Sequence, residues 1–367
     1  MGETIKQRFR AFFILIICLV VSGCVTPAEF DEAAWRKKVE SAQTSDLYAP
    51  HHRNGEYFNP WMPMEEKGLL RFLKWKFSPS QQYTAEEREF LPSFIPDAAG
   101  RIKATEGDMI LWIGHATFLM RLDSRLWLTD PMLSDRALLP QRKTRPAMTP
   151  EELKGLDVPG LNVVISHNHY DHLDRKTIEA LPDGTRFFVP MGMKEFIKKL
   201  GKNHVVEMDW WQSVDAGNGT TVVCLPAQHW SRRIGQAANT TLWASFLIIS
   251  PNNTVYYGGD SGYFIGFREI GRRYPGIDYA LIPTTAYHPR WFMHYSHMDT
   301  DECIDAFHDL KARYFVPTQW GTFHLGDDPP GFPALDLRRR IAARKLDQSR
   351  FLIMDIGEIL PLSGRSE

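Results

Sequence analysis

From Met109 onward the chain alternates short apolar runs with clusters of Gly, Pro, Asn and Asp. Met109 to Ile113, Ala116 to Leu122 and Leu126 to Leu128 follow one another closely, a spacing that predicts successive strands joined by tight turns. The pattern recurs at Leu161 to Ser166, Arg186 to Val189, Thr220 to Leu225, Leu242 to Ile249, Thr254 to Tyr257, Tyr279 to Ile282 and Tyr314 to Val316. Two stretches have helical periodicity instead: Asp174, suited to an N-cap, through Leu181, and Asp299 to Lys311. Strands outnumber helices, yet helices separate several of them. This predicts a layered α/β architecture with helices outside two sheets.

The N-terminus reads differently. Lys6, Arg8 and Arg10 precede the almost wholly apolar Ala11 to Val21, and Val21-Ser22-Gly23-Cys24 follows. A basic segment, a short apolar stretch and small residues describe a secretory signal peptide over residues 1–23. The stretch is short for a membrane-spanning helix. Cysteine directly after small residues resembles a bacterial lipobox, in which the Cys24 thiol takes a lipid and anchors the chain to a membrane. Val25 rather than Asp comes next, so the expected address in a Gram-negative host is the inner leaflet of the outer membrane. Residues 24–58 then form a tether and N-terminal arm, and 59–362 the folded domain. Within that domain Leu69 to Phe77 interleaves aromatics and leucines with Arg71, Lys74 and Lys76. It fits a helix packed on the domain with its lysines solvated, or one resting on anionic headgroups.

Composition narrows the class. The 367 residues are 43% hydrophobic and 24% charged, as in a globular protein with a sizeable core, and the formal net charge of −1 argues against a nucleic-acid partner. Of four cysteines, Cys18 lies in the signal and Cys24 is the lipidation candidate. Cys224 and Cys303 are expected to be buried free thiols.

The densest chemistry is His167-Asn168-His169-Tyr170-Asp171-His172, directly after a strand-like run. Imidazole nitrogens and carboxylate oxygens on one short loop are the ligands that Zn²⁺ accepts, and iron or manganese fits the same donors. Other strand-like runs lead into Pro226-Ala227-Gln228-His229-Trp230, Gly258-Gly259-Asp260-Ser261-Gly262, Pro283 to His288, and Pro317-Thr318-Gln319-Trp320-Gly321-Thr322-Phe323-His324. Polar, metal-capable residues thus recur where strands stop, as expected of a site on loops held by a rigid scaffold.

His167-x-His169-x-Asp171-His172, with His229 and Asp260 at later strand ends, resembles the metallo-β-lactamase superfamily. Trp112 to Phe118, Thr129-Asp130-Pro131, Pro226 to Trp230, Gly259 to Tyr263, Pro289 to Met293 and Trp320 to Phe323 are similar to one branch. That branch is N-acylphosphatidylethanolamine-hydrolysing phospholipase D and its bacterial relatives, and the resemblance runs from about Asn59 to Pro330. It implies a four-layer αββα sandwich and a hydrolase with two zinc ions. His167, His169 and His229 would hold the first, Asp171 and His172 the second, and Asp260 both. A zinc-bound hydroxide would attack a phosphodiester, plausibly of an (N-acyl)phospholipid in phospholipase D fashion, with no protein nucleophile. No Gly-x-Ser-x-Gly elbow is present to supply one.

One departure stands out. The branch has a histidine before Trp-Gly-Thr-Phe as a ligand of the second metal, and this chain has Gln319. Either Gln319 coordinates weakly through its carbonyl or His324 replaces it, so the second metal is expected to be the looser one. His297 matches a position near the reacting phosphate, where it would protonate the leaving alcohol; alternatively Ser296 or His297 caps the helix beginning near Asp299. His115 and Asp130 are expected behind the ligands, Asp130 fixing an imidazole. Arg290 and Tyr287 are candidates for phosphate contact or for packing. Two other functions fit the same residues: a lactone or carboxylic-ester hydrolase of the same fold, and a non-catalytic lipoprotein binding module with a degenerate metal site.

Overall fold

A computed structural model describes residues 29–64, 68–156 and 160–363. The expected signal peptide and Cys24 lie outside the described residues. After a short ribbon of β1 (His52–Arg53) and β2 (Glu56–Tyr57), the apolar runs fold as two mixed sheets. The first contains β3 (Met109–Gly114), β4 (Thr117–Leu122), β5 (Arg125–Thr129), β6 (Leu161–Val164), β7 (Arg186–Pro190), β8 (His204–Met208) and β15 (Ile359–Pro361). Its order is β15-β3-β4-β5-β6-β7-β8, antiparallel from β15 to β5 and parallel from β5 to β8. The second contains β9 (Ser213–Gly217), β10 (Thr220–Leu225), β11 (Ser245–Ile249), β12 (Thr254–Tyr257), β13 (Tyr279–Pro283) and β14 (Tyr314–Thr318), in the order β14-β13-β12-β11-β10-β9. Here β9 to β12 are antiparallel, and β12, β13 and β14 run parallel.

Every residue of β3, β6, β12 and β13 is buried, because both faces of these strands are covered. That is why their sequences read as continuous apolar runs rather than alternating ones. One hydrophobic core spans both sheets, with Trp112, Trp127 and Phe187 from the first and Phe246, Tyr256 and Leu281 from the second. The helices flank these sheets, as the layered reading expects. Asp174 caps Arg175–Ala180 by accepting from the Lys176 amide at 3.3 Å. Asp299 caps Thr300–Leu310 by accepting from the Glu302 amide at 2.8 Å, while the Glu302 carboxylate accepts from the Asp299 amide at 3.1 Å. This capping box leaves Ser296 and His297 no capping role.

Several boundaries differ from the sequence pattern, each for a physical reason. The run expected to be a strand from Leu242 pairs within its sheet only from Ser245. Before that, Leu242 donates to the Met191 carbonyl at 2.8 Å and Ala244 to the Ser166 carbonyl at 2.9 Å, so this segment stitches one sheet to the other. The arm is not a free tether. Helix Glu32–Glu40 buries Trp35 and Val39 in the main core, and Leu47 follows them in. Trp35 also donates Nε1–H to Glu302 at 3.1 Å. Helix Leu69–Phe77 is held mainly by Trp75, which stacks on Phe292 at 4.7 Å and donates to Asp327 at 2.8 Å. Leu69, Leu70 and Phe77 stay 72%, 83% and 70% exposed. Cys224 and Cys303 are buried and free, as expected.

The arm's burial makes a direct prediction. Trp35→Ala removes a large core side chain and leaves Glu302 without its indole donor, and should destabilise the fold by about 3–5 kcal/mol. Denaturant unfolding checks this; a freely tethered arm would give no change.

Candidate metal centre

Strand ends from both sheets converge at one edge of the sandwich. Asp130 follows β5, His167 to His172 follow β6, and His115 sits in the β3–β4 turn. His229 follows β10, Asp260 follows β12 and Gln319 follows β14. The sheets come very close here. Gly259 has φ +58°, and a Cβ on it would lie 2.4 Å from the Ser166 Cβ, so only glycine fits.

Three overlapping groups of ligand atoms result among the described residues; in the third, Asp130 joins His167 and His172 from behind and its oxygens are taken up by hydrogen bonds. In the first, His169 Nδ1 lies 2.8 Å from His167 Nε2 and 3.2 Å from His229 Nε2. Asp260 Oδ2 completes it, 3.8 Å from His167 Nε2 and 3.5 Å from His229 Nε2. In the second, His172 Nε2 lies 3.3 Å from Asp171 Oδ2 and 3.3 Å from Asp260 Oδ1. His115 Nε2 is 3.1 Å from the same Asp171 oxygen. Asp260 therefore turns one oxygen to each group. Ligands bonded at about 2.0–2.2 Å around a tetrahedral cation stand roughly 3.3–3.6 Å apart, so the donor set fits divalent metal. His172 Nε2 supports the fit: it is buried and makes no hydrogen bond, although two carboxylate oxygens stand nearby.

The groups behind the ligands fix their tautomers. Ser166 donates its hydroxyl to Asp130 Oδ2 at 2.5 Å, so it can only accept from His167 Nδ1, 2.9 Å away. His167 Nε2 is then left with its lone pair facing the site. His229 Nδ1 faces the Ser296 carbonyl at 3.2 Å, with the same consequence. His172 Nδ1 contacts Asp130 Oδ2 at 2.5 Å, the arrangement expected of Asp130 from the sequence.

Burial and charge set the protonation states. Burial pushes His167 and His229 well below the usual imidazole range, and His169 to about 4. These three are neutral, as ligands must be. Burial also pushes His172 down, but Asp260, Asp171 and Asp130 outweigh it and hold this ring well above the usual range. Burial raises Asp171 and Asp260, yet His172 and the other imidazoles draw both well below the ordinary carboxylate range.

The remaining candidates separate. Gln319 is buried and donates Nε2–H to Asp260 Oδ1 at 2.7 Å and to the Gly259 carbonyl at 2.9 Å. His324 is exposed and belongs to neither ligand group, because Phe323 packs its ring inward on His115 and the chain turns the next residue outward. His297 is half-buried beside His229, with ring centroids 5.5 Å apart. Arg290 is held by Glu32 at 2.7 Å and Glu302 at 3.0 Å, and Tyr287 is buried with its hydroxyl on Asp336 at 3.2 Å. Both serve packing rather than phosphate contact. Sequence reasoning missed Arg233, which donates to the Asn168 and Leu173 carbonyls at 2.8 and 3.0 Å and so clamps both ends of the ligand loop. Its only signal was its place shortly after His229-Trp230.

A cleft of 550 Å³ opens beside the first group, walled by His169, Tyr170, Asp171, Trp230, Arg232 and Ile234.

Two outcomes follow from this geometry. Asp130→Asn should weaken metal binding by about 10–100-fold in a chelator competition. In metal-free protein, His167, His169 and His229 are depressed in the folded state, so the unfolded chain binds more protons below pH 6.5. The stability they allow is present above pH 6.5 and falls as pH drops towards about 4, where His172 is already charged folded or unfolded. Thermal melts across that window check the slope.

The comparisons agree with the fold. The family described as "Beta-lactamase superfamily domain" matches residues 125–320. N-acyl-phosphatidylethanolamine-hydrolyzing phospholipase D 1 of Caenorhabditis elegans is 34% identical over 308 residues, 78% of this chain and 85% of the relative. Outer membrane protein RomA of Klebsiella pneumoniae is 43% identical over 108 residues, 29% of this chain and 80% of that protein. Among solved structures, the metallo hydrolase Igni18 of Ignicoccus hospitalis aligns with a TM-score of 0.52 at 20% identity, covering 69% of this chain and 97% of that one. With two flanked mixed sheets and a His/Asp centre at their shared edge, the chain is a hydrolase of the metallo-β-lactamase superfamily and belongs with N-acyl-phosphatidylethanolamine-hydrolysing phospholipase D.

Proposed function

We propose that this protein is a two-zinc phosphodiesterase that cleaves phospholipid headgroups in phospholipase D fashion. The observation that carries the reading is Asp260, whose two oxygens face two separate ligand groups beside an open, partly apolar cleft. Divalent cations held by such groups would lower the pKa of a bound water towards neutrality and polarise a phosphoryl oxygen. His167, His169 and His229 would hold the first ion and Asp171 and His172 the second, with Asp260 available to both.

The chain's own residues do the rest. Asp260 and Asp171, kept ionised, orient the attacking water in line with the phosphorus. The bond to the headgroup oxygen breaks as the new P–O bond forms, giving phosphatidic acid and a free headgroup alcohol. His297, beside His229 and outside both ligand groups, delivers the proton that the leaving oxygen takes up. Exposed Arg232 on the cleft wall attracts the phosphate, while Leu138 and Ile234 offer apolar contact to the acyl portion.

A membrane setting supports the substrate class. Leu69, Leu70 and Phe77 project from a helix that also carries Arg71, Lys74 and Lys76, a combination suited to a lipid surface. The N-terminal pattern with Cys24 would anchor the chain at the inner leaflet of the outer membrane, and one relative is named an outer membrane protein.

Phosphatidic acid release from mixed phospholipid vesicles, followed by mass spectrometry, tests the proposal. His169→Ala should abolish release, and His297→Ala should lower kcat by about 10²–10⁴-fold with KM little changed. Hydrolysis of lactones or carboxylic esters with no phosphatidic acid from any phospholipid would overturn it.

A further inference from the structure

Gln319 stands where the branch supplies an imidazole to the second metal, and its side-chain nitrogen is committed to Asp260 Oδ1 and the Gly259 carbonyl. We propose that His115, from the opposite sheet, is the replacement ligand, so that the second ion would be held by His115, Asp171 and His172, with Asp260 Oδ1 beside His172. This deepens the two-metal reading and rests on it.

The first support is spacing. His115 Nε2 to Asp171 Oδ2 is 3.1 Å, Asp171 Oδ2 to His172 Nε2 is 3.3 Å, and His172 Nε2 to Asp260 Oδ1 is 3.3 Å. The ligand atoms of His115, Asp171 and His172 all lie within 4.8 Å of one another, a group able to close on a divalent cation. His172 Nε2, buried and without a hydrogen bond, is aimed into the same space.

The second support is the orientation of the His115 ring. Its Nδ1 lies 3.3 Å from the Gln319 carbonyl and its Nε2 faces the Asp171 carboxylate, both acceptors. With Nδ1–H on the Gln319 carbonyl, Nε2 turns its lone pair towards Asp171 and the space a cation would fill. His229 repeats this arrangement in the first group, with Nδ1 on the Ser296 carbonyl and Nε2 towards Asp260.

The third support is how firmly the ring is placed. His115 is fully buried and takes the left-handed backbone region, with φ 54°. Its amide donates to Thr322 Oγ1 at 2.9 Å, and its carbonyl accepts from the Gln319 amide at 3.0 Å and from Trp112 Nε1 at 2.9 Å. Phe323 packs edge-on against the imidazole at 5.0 Å. The segment after β14 that lacks the expected histidine is the same one that clasps His115. Gln319 is then a positioning residue, holding Asp260 with its side chain and orienting His115 with its carbonyl.

The test is metal content of the full-length protein, reconstituted with Zn²⁺ and desalted, measured by elemental mass spectrometry, with the Co²⁺-loaded absorption spectrum as a second readout. Wild type should hold two ions, His115→Ala and the size-matched His115→Gln one, and His115→Ala with Gln319→His two again. Circular dichroism of the metal-free variants establishes that they fold. Retention of two ions at wild-type affinity in His115→Gln would overturn the assignment and leave the two-metal reading standing. A single ion in wild type, unchanged in His115→Gln, would instead remove the two-metal reading and this assignment with it.

Discussion

Asp130 is fully buried, and its carboxylate takes four hydrogen bonds: from the Ser166 amide at 2.6 Å and hydroxyl at 2.5 Å, from Tyr257 at 2.5 Å and from His172 at 2.5 Å. Removing a carboxylate from water is costly unless charge-assisted hydrogen bonds replace its hydration. The partners that replace it come from three different places. Ser166 follows β6, Tyr257 ends β12 in the other sheet, and His172 is in the ligand loop. Satisfying one buried acid therefore fixes the approach of the two sheets and the orientation of two imidazoles together. Burial, and then Asp130 itself, holds the Tyr257 phenol well above its usual range, so it remains a donor.

The site built on this anchor divides its labour by environment. His167, His169 and His229 are neutral because burial and neighbouring imidazoles disfavour their charged forms. His172 sits among three carboxylates and leans the other way. The same residue type thus serves two groups of different charge, bridged by Asp260. Buried Arg233 holds the loop, its guanidinium 3.9 Å from the Tyr170 ring centroid. Two rigid scaffolds and a clamped loop leave the ligands little freedom to rearrange, which favours preorganisation over induced fit.

Much of this was legible along the chain. Runs such as Thr220 to Leu225 and Thr254 to Tyr257 matched their strands residue for residue, because strands covered on both faces must be continuously apolar. Asp174 and Asp299 marked their helices because a carboxylate can take the unpaired amides of a first turn. Strands such as β9, Ser213–Gly217, were not legible: their polar sequence is extended only because a neighbour offers a ladder. The arm looked like a tether for a similar reason. Trp35, Val39 and Leu47 are too sparse to signal a core contact until the surface they fill exists.

For the site, local spacing alone determined that His167, His169, Asp171 and His172 share one loop, and so that metal chemistry is concentrated there. It also determined that Gln319 departs from the branch. Only the tertiary structure decided what that departure means, because ligand groups are completed across sheets by residues far apart in sequence. It placed His324 outside, turned Gln319 onto Asp260, engaged Arg290 with carboxylates and brought His115 to Asp171. Periodicity encodes which residues a strand buries. It carries no information about which strand ends meet, and a metal site is made where they do.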